Sequence, residues 1–186
     1  MSILIEQKVK RFSEAIKATS CTLSGGNEID LETALNDICS IVIEKRRQHH
    51  LYVVGNGGSA AIAAHVAIDF RNVAKFSAFT LHEPSTLTCL ANDYGYENSF
   101  SLAVQTSGRE GDVLIAISSS GNSPNIINAV KAAKDRNMMV ITFTGFGNDN
   151  AIRGLGDLNF WVNSNDYGVV ENTHQFLLHC VSDEFL

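Results

Sequence analysis

The chain has 186 residues, 45% hydrophobic and 18% charged, with two prolines; this composition suits one globular domain with a sizeable core and gives no sign of a disordered tail. A formal charge of −6, with no Lys or Arg after Arg153, argues against a nucleic-acid binder, which needs a basic stripe to meet the phosphates. Cys21, Cys39, Cys89 and Cys180 lie far apart without a CxxC pair, and the opening MSILIEQKVKRF interleaves charged and apolar positions. A reducing cytoplasmic setting is expected, with no disulfide framework, signal peptide or membrane span.

The first 49 residues predict a helical hairpin. Ile3, Ile5, Val9, Phe12 and Ile16 recur at helical spacing, LSGGNEID breaks the pattern, and Leu31, Ala34, Leu35, Ile38, Ile41 and Val42 resume it. Asp30 is placed to cap the second helix, and EKRRQHH brings positive charge to its C-terminal end, where the helix dipole favours it. The apolar stripe of such a preface packs either on its own sheet or on another subunit.

From residue 50 the rhythm is strand, turn, helix. Apolar runs at 51–55, 76–81, 112–118, 138–145 and 158–163 alternate with helical stretches at 59–72, 97–106, 124–137 and from 169 onward. The runs do not alternate polar with apolar, which marks strands buried on both faces. The prediction is a single α/β domain over 1–186, with a three-layer, doubly wound, flavodoxin-like parallel sheet of about five strands. Ligands in that architecture sit at the carboxyl ends of the strands.

Two turns fall there. GNGGS, Gly55 to Ser59, follows a strand and opens a helix, so its amides and the helix N-terminus can approach an anion. SSSGNSPN, residues 118–125, does the same with the hydroxyls of Ser118, Ser119, Ser120 and Ser123, and Pro124 stands near the first helical position. A tight turn and a cap would explain either alone; both together suit a phosphomonoester. No Walker lysine follows, and GNGGSA lacks the GxGxxG spacing, so a sugar phosphate fits better than a nucleotide.

The helix after the first turn carries His65 and Asp69 at i, i+4, about 40° apart. In the C-terminal helix Glu171, Gln175 and His179 share a face, whereas His174 falls about 140° from His179. His65, Asp69, Glu171 and His179 form a candidate constellation suited to zinc or another divalent transition metal. Its alternative is two solvated polar faces on unrelated helices.

These segments together, GNGGSAAIAAHVAIDF, LANDYGYENSF, GREGDVLIAISSSGNSPNIINAVKAAK and the C-terminal HQFLLH, resemble the sugar isomerase (SIS) fold and, within it, the phosphoheptose isomerase family. The resemblance spans nearly the whole chain. It implies a cytoplasmic homotetramer with shared active sites, without nucleic-acid or membrane partners, converting sedoheptulose 7-phosphate for bacterial surface heptose synthesis and holding a Zn2+ ion per subunit. It also implies that Ser59, Ser118, Ser119, Ser120 and Ser123 bind phosphate. Asn56, Gly57, Gly58, Asn92, Asp93 and Glu171 then serve the substrate, His65, Asp69, Glu171 and His179 the metal, and Asp69 and His179 catalysis. The chain departs from the family in having Asp69 for its usual glutamate base, Glu171 for its glutamine, DYGVV where an arginine and an aspartate are usual, and a shorter loop after Asp69. A noncatalytic binding or sensing module of the same fold, and an isomerase of another sugar phosphate, are the competing readings.

Overall fold

The computed structural model describes residues 4–186; Ile3 of the first predicted stripe lies outside them. In chain order the elements are α1 (Ile5–Lys17), β1 (Ser20–Leu23), β2 (Glu28–Ile29), α2 (Leu31–Lys45), β3 (His50–Val54), α3 (Gly58–Asn72), β4 (Ser77–Thr80), α4 (Pro84–Tyr94), a 3-10 turn (Tyr96–Asn98), α5 (Ser99–Ser107), β5 (Val113–Ser118), α6 (Pro124–Asp135), β6 (Met139–Thr144), β7 (Leu158–Trp161) and α7 (Tyr167–Asp183).

The sheet order is β2-β1-β7-β6-β5-β3-β4. Strands β3 to β7 are parallel, as the buried runs predict, and β1 adds to β7 antiparallel, with β2 antiparallel to β1. The sheet therefore has two strands beyond the expected set, and they lie inside the segment read as a helical hairpin. Cys21 is why: it is buried in the strand that covers the outer edge of β7, while Gly25 and Gly26 take the positive φ of the reversal. Helices α1 and α2 both pack against α7.

Strand β5 is buried at every position. Val113, Ile115 and Ile117 face a core shared with α2, α3 and α7, whereas Leu114 and Ala116 face a second core built with α5 and α6. Two covered faces explain the continuous apolar run. From β3 the chain steps outward to β4 and then returns to the other side of β3 to lay down β5, so the order reverses between β3 and β5. Crevices form at that point, and both glycine–serine turns border it.

His174 faces the core from α7, fully buried, with its Nε2–H donating to the Thr144 carbonyl at 3.0 Å. Burial holds its pKa down, to about 4, against the raising effect of that bond. The unfolded chain takes up this proton near 6.5 and the folded chain only near 4, so between those values the unfolded state binds more protons and stability falls as pH drops. The loss is about 1.4 kcal/mol for each unit of depression. Thermal melts from pH 7 to 4 should show it, and His174→Gln should flatten the slope in that window; equal slopes would remove His174 as the cause.

Candidate active site

The first turn is shaped by close approach. Gly55 faces the backbone of Ser59 at 2.6 Å from where a Cβ would stand, and Gly57, the N-cap of α3, has φ +54. At Gly58 the space a side chain would take is filled by the Glu171 carboxylate. His82, in the loop after β4, supports this turn by donating Nε2–H to the Gly55 carbonyl at 2.8 Å.

The second turn is braced from behind. The Ser118 hydroxyl accepts from the Gly121 amide at 3.2 Å and lies 3.5 Å from that of Ser123, and the Ser120 hydroxyl accepts from the Asn122 amide at 3.3 Å. Gly121, at φ +63, leaves no room for a side chain because Asn150 lies against it. Asn150 is itself buried and held through the carbonyls of Gly145 and Gly147. Ser119 differs from its neighbours. Its hydroxyl is buried and has no hydrogen-bond partner among the described residues.

The two turns are locked together by amides. Asn56 Nδ2 donates to Asn125 Oδ1 and Asn125 Nδ2 donates back to Asn56 Oδ1, each at 2.9 Å, and Tyr96 Oη donates to the same Asn56 oxygen at 2.8 Å. The Asn56 side chain is thus engaged by the protein. Between the turns lies a cavity of about 220 Å³, lined by residues 56–59, Ser118, Ser119, Ser120, Ser123, Tyr167 and Glu171. No Lys or Arg among the described residues borders it.

A second cavity, about 440 Å³, runs on between α3 and α7 and shares Gly58 and Glu171 with the first; His65, Asn172, Gln175 and His179 line it, with Ala61 and Ile62. At its far end Asp69 Oδ2 lies 3.2 Å from His65 Nε2 and 3.5 Å from His179 Nδ1. The two imidazoles meet edge to face at 4.9 Å between centroids. His65, Asp69 and His179 can each offer a donor atom within 4.8 Å of the others, and Glu171 is outside that group. Asn92 and Asp93 stand exposed at the end of α4, bonded to each other at 2.8 Å, and line neither cavity.

Residues 12–145 match the SIS-domain family model. The phosphoheptose isomerase of Aromatoleum aromaticum is 37% identical over 183 residues, covering 91% of this chain and 84% of that protein. The chain belongs to the phosphoheptose isomerase family. The solved phosphoheptose isomerase of Neisseria gonorrhoeae superposes with a TM-score of 0.81 at 31% identity, over 97% of this chain and 94% of that one. The NanR protein of Vibrio vulnificus, solved with ManNAc-6P, gives a TM-score of 0.70 at 15% identity over 98% of this chain and 60% of that one, a likeness of fold alone.

Several residues of this family member's site have no counterpart in the sequence-based expectations. Asn125 and Tyr96 hold Asn56, His82 and Asn150 hold the turns, and Tyr167 walls the anion cavity. Asn125 carried a signal, since it closes the serine motif itself. Asn150 carried none, because only the fold brings its loop behind Gly121.

Proposed function

We propose that the chain converts sedoheptulose 7-phosphate to D-glycero-D-manno-heptose 7-phosphate, with the sugar lying along the groove between α3 and α7. The observation that carries this reading is the junction at Gly58 and Glu171 of a hydroxyl-lined cavity with the groove that ends at His65, Asp69 and His179. One end suits an anion and the other proton transfer.

At the phosphate end, amides of the first turn and serine hydroxyls donate to the ester oxygens, and Ser119 Oγ gains the acceptor that the protein does not provide. Glu171 stands beside them as a negative charge. Its carboxylate disfavours an anion on the α7 side of the cavity, so the phosphate sits against the serines.

At the reacting end, a base takes a proton from C1 of the ketose, leaving an enediol, and returns it to C2, while a hydroxyl proton passes from O1 to O2. Asp69 serves the carbons and His179 the oxygens. Both imidazole contacts are made by Asp69 Oδ2, which leaves Oδ1 for the proton. Two imidazoles and a carboxylate within 4.8 Å suit zinc; held there, it would polarise the carbonyl oxygen.

In this reading the enzyme is a cytoplasmic homotetramer that supplies heptose for bacterial surface polysaccharide. Support for assembly comes from Ile5 and Val9 of α1, exposed beside an apolar groove that continues to Val169 of α7, a face that a second subunit would cover. No helix among the described residues is long and apolar enough to cross a membrane.

The test is turnover on a panel of seven-, six- and five-carbon ketose phosphates, with metal analysis and light scattering on the same preparation. Isomerisation of the seven-carbon sugar by a zinc-loaded tetramer is expected. Turnover of a shorter sugar alone would reassign the substrate, binding without turnover would make the chain a binding module, and a monomeric mass would remove the assembly.

A further inference from the structure

Helices α3 and α7 meet in rungs. Gly58 lies against Glu171 at the phosphate end, and His65 and Asp69 meet His179 at the reacting end. Glu171 and His179 are eight residues apart, about 12 Å along the helix at 1.5 Å per residue, a length that an extended seven-carbon phosphate spans. The middle rung sets Gln175 opposite Ala61 and Ile62. Of these three only Gln175 is polar.

Its amide is out of place by ordinary packing rules. Gln175 Nε2 is buried and has no hydrogen-bond partner among the described residues, a state that costs stability and that leucine at the same position would avoid. The last torsion of a glutamine is broad, so the amide can turn toward the cavity it lines. We infer that Gln175 binds the hydroxyls in the middle of the sugar chain and is a specificity-determining residue for chain length. Asn172 also lines the cavity, but its Nδ2 already donates to the Gly168 carbonyl at 2.6 Å, so Gln175 holds the amide left for a hydroxyl on this rung. A shorter sugar phosphate anchored at the serines does not carry its carbonyl past this rung to Asp69. The inference rests on the isomerase reading and adds a contact that serves neither the phosphate nor the proton transfer.

The test uses calorimetric binding of the open-chain seven-carbon polyol phosphate, made by reducing the ketose, so that no turnover is required. Gln175→Leu, with Gln175→Met as a second apolar variant should the first fail to fold, is expected to weaken polyol phosphate binding about 10-fold or more. Inorganic phosphate affinity and zinc content should be unchanged, and the melting temperature equal to or above that of the parent. Unchanged polyol phosphate binding would overturn the inference, as would an equal loss of inorganic phosphate affinity, which would mean a general disturbance of the groove. A parent protein that neither binds the polyol phosphate nor isomerises the ketose would instead remove the isomerase reading, and this inference with it.

Discussion

Asp69→Asn and His179→Gln are each expected to lower turnover by about two or more orders of magnitude, the scale on which a positioned acid or base contributes. Asparagine keeps the shape of the side chain between the two imidazoles and removes its charge and basicity. His179→Gln removes the ring 3.5 Å from Asp69 Oδ2 and with it the group proposed to move protons between oxygens. Inorganic phosphate should compete as before in both variants, because the serine cavity is bordered by neither residue. Metal content, expected near one zinc per subunit in the parent, should fall in His65→Ala. His174→Gln should leave turnover nearly intact, since that ring faces Thr144 and the core. Full activity in both Asp69→Asn and His179→Gln would sink the enzymatic mechanism.

The second large effect belongs to the serine turn. Ser119→Ala combined with Ser120→Ala should raise the Michaelis constant about 10- to 100-fold, the worth of one or two hydrogen bonds to a charged group. The sign on stability should be opposite. Ser119 Oγ is a buried hydroxyl without a partner among the described residues, so deleting it should relieve the free protein of an unsatisfied group while depriving a bound phosphate of a donor. A melting temperature held or raised together with weakened binding is the signature of a hydroxyl kept for a ligand. Unchanged binding would reduce the loop to a structural turn.

What could be read from the sequence tracks how locally each feature is determined. The five parallel strands announce themselves because residues such as those of β5 are buried from both sides, and the turns because glycine and serine are demanded where they stand. Strands β1 and β2 were hidden by brevity: four and two residues leave no period to detect beside two long helices. Helix α4 was hidden for the opposite reason. It has no buried residue, hence no apolar stripe, although Pro84 in its first turn and Glu83, whose carboxylate caps the amides of Ser85 and Thr86, mark its start. The spacing of His65, Asp69 and His179 foretold shared faces, but only the packing of α3 on α7 brings the three together. The resemblance assigns Asn56 to the substrate, and Asn56 does line the anion cavity; that its side chain is also held by Asn125 had no local signal, because that partner stands 69 residues away.

The antiparallel pairing of β1 with β7 gives the chain a particular order of events when it folds. Ser20 sits opposite Trp161 and Leu23 opposite Leu158. Arg153 latches the junction, bonding the Ser20 hydroxyl at 3.2 Å while its guanidinium lies 4.5 Å over the Trp161 ring. The first strand thus waits for one synthesised much later, and such distant contacts form slowly because a long loop must close first. Throughout that wait Cys21 and its neighbours present an unpaired edge. A second nascent copy offers the same β7, so exchange of the N-terminal segment between chains is the misassembly this topology invites.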